Sequence, residues 1–320
     1  MTPAVGLRTH IWNNNLKSLL LLAGFPVLLL LLLFAGVLVY MGLGTGGGGD
    51  VALDLRLAAD RTLELAPAAL LAALIWFAIA WVFHQNIIDA SVGARPVTRS
   101  EEPRLWNLLE NLSISRGRPM PGLRIIESPA LNAYASGLSE AKAAVTVTRG
   151  LLQALNDEEL EAVLAHELTH IENRDVRLLV IAVIFVGIIS FTVELMARGL
   201  FRGSLVRAGG ARRGSSGNAG VLLLVAIAAI AVAWVLAMVI RFSMSRAREY
   251  MADAGAVALT KNPDAMISAL ERISGRSDVE AAPRELRQMF LHDDKAGFAG
   301  LFATHPPISK RIEALRRYAG

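Results

Sequence analysis

The sequence predicts a mainly α-helical protein in which a four-helix transmembrane module accompanies an α+β domain. Three observations predict this fold class: four long apolar runs, amphipathic helical patterns in the polar stretches, and two short β-branched stretches. The chain of 320 residues is 54% hydrophobic and 19% charged, which is too apolar for an ordinary soluble domain. It contains no cysteine, so disulfides, thiol nucleophiles and cysteine-rich zinc sites are excluded.

The first two apolar runs predict a hairpin of transmembrane helices, helix 1 at residues 18–41 and helix 2 at residues 65–83. The first run carries no charge and would extend about 36 Å as a helix, enough to cross a bilayer. A cleaved signal peptide is the alternative, but the run is long for one and the glycines after it make a poor cleavage site. An N-terminal segment, 1–17, precedes the hairpin. A Gly-rich loop, 42–64, joins its helices and lacks the G-K-[ST] ending of a phosphate-binding loop.

The third and fourth runs predict transmembrane helix 3 at residues 178–197 and helix 4 at residues 219–240. An Arg/Gly-rich loop, 198–218, joins them and carries five arginines. Either the two runs cross the bilayer as a hairpin or they dip into it without crossing, and both possibilities stay open. Basic residues on the side of the α+β domain outnumber those on the other side, so the positive-inside rule predicts a cytoplasmic domain. Lipid headgroups explain these charges better than nucleic acid does.

The polar segments 84–177 and 241–320 are predicted to fold together as the α+β domain. Residues 101–113 have leucines at helical spacing, and Leu123–Ile126 and Ala144–Thr148 are short β-branched stretches. They predict a small sheet ahead of a long helix. An exposed strand of such a sheet could bind a peptide by strand addition.

The most informative stretch is His166-Glu-Leu-Thr-His170, the H-E-x-x-H pattern that binds zinc on a helix. Asn156 and Glu159 predict an N-cap and a capping box at the start of this helix. Histidines four residues apart share one helix face, so His166 and His170 can reach a single metal. Glu167 is then a candidate general base for water. The alternative is an amphipathic surface helix with two histidines, and a third ligand decides between them.

Glu249 and Asp253 are the candidates for that third ligand, because they share one face of a segment that continues from the fourth apolar run. One carboxylate could bind the metal while the other accepts the free N–H of a ligand histidine. The alternative is a pair of solvated charges at a membrane boundary. If the third and fourth runs form an antiparallel hairpin, both ligand segments emerge at one membrane surface. The pattern therefore predicts a zinc site at the bilayer interface.

Four motifs spread over residues 85–320 resemble those of HtpX-type membrane zinc endopeptidases, which are related to the CAAX prenyl endopeptidases. In family order, the motifs are Leu131–Gly137, His166–Asp175, Ser245–Asp253 and Thr304–Arg311. The resemblance implies a zincin-like (gluzincin) peptidase domain. It also implies one Zn²⁺ per chain, bound by His166, His170 and Glu249.

The resemblance implies roles for five further residues. Glu167 would be the catalytic base, and Asp253 would support a ligand histidine. Asn132 would lie on the substrate-binding edge strand. His305 and Arg311 would line the active site and stabilise the tetrahedral oxyanion. From the residues alone, His305 is an ordinary loop histidine and Arg311 a helix-surface arginine.

The implied function is hydrolysis of peptide bonds in membrane or membrane-proximal proteins by an integral protein of the bacterial inner membrane, in protein quality control and stress response. Its partners would be protein or peptide substrates and the lipid bilayer, with no nucleic acid, and the oligomeric state is not predicted. Two alternatives stay open: a specificity for prenylated peptides, and a non-catalytic zinc-binding membrane protein. Glu167 counts against the second, since a structural zinc site needs no base.

Overall fold

The computed structural model describes residues 7–44, 50–181, 218–242, 247–274, 276, 290–291 and 306–319. The chain divides into two compact units. One, here called the helical unit, comprises the described parts of Leu19–Ala80 and Ile184–Arg241. The other, here called the sheet unit, comprises the described parts of the first 18 residues, Trp81–Val183 and Phe242–Gly320.

The helical unit is built from parts of three helices: α1 (Leu7–Gly44), α2 (Val51–Val92) and, later in the chain, α6 (Ala219–Phe242). Their buried side chains are almost all aliphatic, and Leu38 of α1 and Leu222 of α6 belong to one cluster. Within the described residues, two helices are long and apolar enough to cross a membrane, Leu22–Gly42 and Val51–Val92. The prediction of four transmembrane helices is therefore supported for two of them. Residues 182–217, which include most of predicted helix 3 and the Arg/Gly-rich loop, lie outside the described residues.

Residues 51–64, predicted as part of the Gly-rich loop, are instead the first turns of α2. The side chain of Asp50 accepts hydrogen bonds from the N–H groups of Ala52 and Leu53, at 2.8 and 3.4 Å, and so caps the helix. The segment is rich in Ala, Leu, Arg and Glu, all good helix formers. An uncharged run marks only the part of a helix that suits a bilayer, so the run at residues 65–83 predicted a helix that is too short at both ends.

The sheet unit contains a four-stranded sheet with the strand order β1-β2-β4-β3. The strands are β1 (Ala94–Pro96), β2 (Gly122–Ile126), β3 (Ala133–Ser136) and β4 (Ala144–Thr148). β2 and β4 are parallel neighbours, whereas β1 and β3 pair antiparallel at the two edges. The two strands predicted from their residues correspond to β2 and β4; β1 was not predicted, and β3 only through the edge strand that the resemblance implies at Asn132.

The outer edge of β3 carries backbone groups that β4 does not use. The N–H of Thr148 donates to the carbonyl of Asn132, so residues 132, 134 and 136 face β4. Ala133 and Ala135 consequently direct their N–H and C=O groups toward the outer edge, away from β4. The N–H of Leu291 already donates to the carbonyl of Ala133 at 2.8 Å.

Helix α5 (Asp157–Glu172) lies at the centre of the sheet unit. Leu160, Val163, Leu164 and Leu168 belong to the same buried core as the inward side chains of β2 and β4 and the leucines of α3 (Pro103–Ser115). The short α4 (Arg149–Ala154) precedes α5, and the described residues after α6 include the helices α7 (Ala247–Thr260), α8 (Pro263–Ile273) and α9 (Ile308–Ala319). This packing holds α5 against α7, and the candidate site lies where these two helices meet.

Candidate active site

The helix that carries His166 and His170 begins at a capping box, as predicted. The side chain of Asn156 accepts from the N–H of Glu159 at 2.9 Å, and Glu159 accepts from the N–H of Asn156 at 2.9 Å. These two bonds satisfy donors that an α-helix leaves free in its first turn. They set the start of α5, and therefore the face on which both histidines lie.

The structure brings together His166 and His170 of α5 and Glu249 of α7. The two Nε2 atoms lie 3.1 Å apart, with the rings nearly perpendicular at 87°. Each Nε2 is 3.8 Å from one oxygen of the Glu249 carboxylate. In a tetrahedral zinc site with Zn–N distances of about 2.0–2.1 Å, two ligand nitrogens are about 3.3 Å apart. The donor set and its spacing thus fit a tetrahedral divalent metal with one open position.

A carboxylate holds the far nitrogen of each histidine. The Nδ1 atom of His166 lies 3.0 Å from Asp253, and the Nδ1 atom of His170 lies 3.0 Å from Asp175. Such partners fix the tautomer and leave Nε2 free for a metal. Asp175 was given no role from the sequence. The sequence did carry a signal for this role, since Asp175 follows His170 by only five residues and can reach it across the turn at residues 173–174.

Arg311 of α9 is fully buried behind this cluster. Its guanidinium donates to both oxygens of Asp253, at 2.9 and 2.6 Å, and to the carbonyl of Leu291 at 3.1 Å. A bidentate pair of this kind fixes the carboxylate that holds His166. The geometry supports a positioning role, and the predicted role as an oxyanion donor stays a prediction. His305 lies outside the described residues.

Asn132 lies one residue before β3, at the start of the edge strand rather than within it. Its side-chain oxygen accepts from the N–H of Ala133 and from the N–H of Leu291, each at 3.0 Å. The residue is fully buried. It therefore stabilises the backbone at the position where a strand would be added, and its contact with substrate stays a prediction.

Burial and charge shift the pKa of several groups in the site, among them Glu167, His166 and Asp253. Burial raises the pKa of Glu167 to about 7, with help from the charge of Glu249. Burial lowers the pKa of His166 to about 4, which favours the neutral imidazole that a metal needs. Burial acts to raise the pKa of Asp253 as well, but the guanidinium of Arg311 and the His166 contact outweigh it and hold the pKa at about 2.

The buried charges of the site also fit a divalent cation. With all carboxylates ionised, two negative charges exceed the buried positive charges of the described residues. The acids are Glu167, Asp175, Glu249 and Asp253, and the bases are Arg248 and Arg311. Buried charges are normally paired or bound to metal. A divalent cation would neutralise this excess.

Residues 99–319 match the profile of Peptidase family M48. The chain is 43% identical over 325 residues to a "Protease HtpX homolog" of Bacteroides fragilis, covering 98% of this chain and 99% of that protein. The chain belongs to peptidase family M48. The M48 relatives include a "Protease HtpX homolog" of Limosilactobacillus fermentum, with 33% identity over 97% of this chain and 99% of that protein. Another, from Listeria monocytogenes, is 41% identical over 72% of this chain and 79% of that protein.

The crystal structure of Ste24p of S. mikatae is similar to this chain at 19% identity with a TM-score of 0.45. The match covers 95% of this chain and 66% of that one. Family membership and the HtpX relatives confirm the predicted resemblance. The chain is a metallopeptidase, and its HtpX relatives together with its two long apolar helices indicate an integral membrane protein.

Proposed function

We propose that this protein is a zinc-dependent endopeptidase of the bacterial inner membrane, with its sheet unit in the cytoplasm. The observation that carries the proposal is the buried cluster of His166, His170 and Glu249 beside Glu167. Three protein ligands with one open position are typical of catalytic rather than structural zinc. The excess of basic residues near the sheet-unit side of the apolar runs supports the orientation.

Zinc is the metal that best fits two imidazoles and one carboxylate in a chain without cysteine. When bound, it supplies Lewis acidity, which polarises a carbonyl and makes water a stronger acid. His166 and His170 would bind it through Nε2, because Asp253 and Asp175 engage the opposite nitrogens. Glu249 would supply the third ligand.

Glu167 would act as the general base and then as the general acid. Its carboxylate accepts a hydrogen bond from the N–H of Ala135, which orients it beside the metal-binding residues for proton transfer. It would take the proton from the attacking water and pass it to the leaving amine. Removal of this single group abolishes both transfers.

The outer edge of β3 would hold the substrate backbone by strand addition, and the substrate would displace Leu291 from the carbonyl of Ala133. Ala135 lies on this edge, and its N–H contacts the carboxylate of Glu167. The carbonyl of Ala133 accepts from the N–H of Leu291, so the edge already binds a peptide group in the way that a substrate strand would. Membrane or membrane-proximal proteins are the proposed substrates, because the same chain carries two apolar helices that can span a bilayer.

The test is Glu167→Gln in purified, zinc-loaded protein. Zinc content by mass spectrometry should persist, while cleavage of casein or of a membrane protein should fall by about 10²–10⁴-fold. The matched control is Glu161→Gln, on the same helix but outside the cluster, which should cleave normally. Cleavage retained by Glu167→Gln would falsify the assignment of the base. Wild-type protein that binds zinc and hydrolyses no tested protein would favour the non-catalytic alternative.

A further inference from the structure

The edge strand β3 has few features of its own that would hold it in place. Of its four residues, Ala133, Ala135 and Ser136 have small side chains, and alanine has a weak preference for strands. The sheet pairs β3 on one side only, with β4. A short edge strand of this composition depends on contacts from other elements to keep its position. One such contact comes from helix α2.

The two faces of the sheet differ in character. The face toward α5 is apolar, and Ala133 of β3 belongs to its buried core. Because side chains alternate along a strand, the residues in between lie on the opposite face. That face carries polar side chains from three strands: Arg124, Tyr134, Ser136 and Thr146. The last turns of α2, residues 81–92, belong to the sheet unit and contact this polar face.

Four side chains form a series of hydrogen bonds that leads from β2 through α2 to β3. The Nε atom of Arg124 donates to one oxygen of Asp89 at 2.6 Å, and the amide nitrogen of Gln85 donates to the other oxygen at 2.8 Å. The hydroxyl of Ser136 donates to the amide oxygen of Gln85 at 2.7 Å. Gln85 and Asp89 are four residues apart and therefore share one face of α2. The series ties the edge strand to an inner strand of the sheet.

The two partners of Gln85 fix the orientation of its amide. An ionised carboxylate only accepts hydrogen bonds, so the NH₂ group must point to Asp89 and the oxygen to Ser136. Asp89 is itself paired with Arg124, and the two side chains are only 14% and 18% exposed. Ser136 is fully buried. Water does not readily replace a hydrogen bond in this setting, so the bond from Ser136 restrains β3 more than an exposed bond would.

Ser136 is the neighbour of the residue that contacts the candidate base. The N–H of Ala135 donates to the carboxylate of Glu167. Consecutive Cα atoms are held about 3.8 Å apart, so a shift of Ser136 also moves Ala135. A displacement of about 1 Å in a group that orients the reaction can cost about 100-fold in rate. The position of Ser136 therefore affects the hydrogen bond that orients Glu167.

We infer that Gln85 is a positioning residue of the peptidase, which holds Ser136 and thereby keeps the N–H of Ala135 in place against Glu167. This inference rests on the proposed function, in which Glu167 is the base and β3 holds the substrate. Gln85 acts on the reaction only through Ser136. Its removal should therefore slow the chemical step more than it weakens substrate binding.

The test uses full-length, zinc-loaded protein in detergent, a fluorogenic casein as substrate, and a zinc determination for each variant. Gln85→Met keeps the size of the side chain and removes both of its hydrogen bonds, whereas Ser136→Ala removes only the hydroxyl. Each variant should lower kcat by about tenfold and change KM by less than about threefold. The double variant should be about as slow as the slower single variant, because both changes break the same bond.

The matched control is Ser113→Ala on α3. It removes a buried serine hydroxyl whose hydrogen bond is equally short, 2.7 Å to the carbonyl of Leu109, but which lies within its own helix. This variant should keep the wild-type kcat.

Hydrogen exchange measured by mass spectrometry tests the hold on β3 without any substrate. In Gln85→Met and Ser136→Ala, the peptide that covers Ala133–Ser136 should exchange about tenfold faster than in wild type. In Ser113→Ala, the same peptide should exchange at the wild-type rate.

Four results would overturn the inference. A wild-type kcat in both single variants would do so and leave the peptidase function intact. A rise in KM alone would mean that Gln85 serves substrate binding. Losses in kcat that multiply in the double variant would mean that Gln85 and Ser136 act separately. Wild-type protein that cleaves no tested substrate would refute the proposed function and the role of Gln85 in catalysis with it, although faster exchange in the variants would still show that Gln85 holds β3.

Discussion

Gly255 sets how closely α7 can approach α5, and therefore where Glu249 lies relative to the two histidines. A Cβ atom at this position would be 2.4 Å from Cγ2 and 2.7 Å from Oγ1 of Thr169, the residue before His170. Rotation of Thr169 does not remove the clash, because its own Cβ would be 3.1 Å away. Its hydroxyl also donates to the carbonyl of Ala165 at 2.8 Å. Gly255→Ala must therefore separate the helices.

The size of the effect follows from these distances. Carbon atoms pack at about 3.5–4.0 Å, so the helices must move apart by about 1 Å at this crossing. Metal sites tolerate errors of about 0.2 Å in ligand distance, so Glu249 would leave its position in the cluster. We expect zinc affinity to fall by at least about 10–100-fold. The free energy of unfolding should fall by only about 1–3 kcal/mol, the usual cost of overpacking.

Competition with a chromogenic chelator measures the affinity in purified protein. The matched control is Gly220→Ala, a helical glycine whose added Cβ would meet nothing within 4 Å. The double variant Gly255→Ala/Thr169→Ala removes the two closest atoms, Cγ2 and Oγ1, leaves only the 3.1 Å contact with Cβ, and should recover part of the affinity, as a coupled pair does. The reasoning is refuted if Gly255→Ala alone binds zinc within about twofold of wild type, since a twofold change in Kd corresponds to less than about 0.5 kcal/mol of binding free energy.

Three further outcomes are expected. Chelation of the metal should lower the unfolding temperature in a fluorimetric scan, because the negative charges of the buried carboxylates then outnumber the positive charges of the buried guanidiniums. Restoring zinc at 100 times its Kd should raise the free energy of unfolding by about 2.7 kcal/mol. An unfolding temperature that chelation leaves unchanged argues against the metal site. Arg311→Met should cost about 3–5 kcal/mol in urea unfolding, because Asp253 is left buried without its bidentate partner, and adding Asp253→Asn should recover part of that loss. Burial acts to raise the pKa of Glu159, but the hydrogen bond from Ser268 and the ion pair with Arg272 outweigh burial and lower this pKa. The ionised carboxylate of Glu159 therefore stabilises the fold fully above about pH 4.3, and this stabilisation is lost as the pH falls through the folded-state pKa. Glu159→Gln should be less stable than wild type near pH 7, and a stability gap that persists below that range contradicts the assignment.

The motif helix was predictable because its signals are local. The capping box of Asn156 and Glu159 and the i, i+4 spacing of the histidines depend on residues within one helix. The face shared by Glu249 and Asp253 was equally visible, since both lie on α7. What joined the two helices in the prediction was the expected hairpin of the third and fourth apolar runs together with a family resemblance, because no local pattern states which helices pack together.

The elements that were missed depend on contacts distant in sequence. β3 has no alternating pattern, because all four of its residues are buried, and it forms an edge only through its pairing with β4. Arg248 was given no role in the site from the sequence, but it is buried with its Nε 3.1 Å from Glu249. The early start of α2 was missed because charged residues interrupt its apolar pattern.

The sequence alone established the chemistry available to this protein: a helix with two metal-binding imidazoles, a carboxylate between them, and apolar runs that suit a bilayer. Tertiary structure decided how that chemistry is arranged. It placed Arg311 against Asp253, 58 positions away, and brought Glu249 to within 3.8 Å of both histidines. Helix caps and periodicity act over a few residues, whereas close packing of α5 on α7 depends on the shape of every side chain between them.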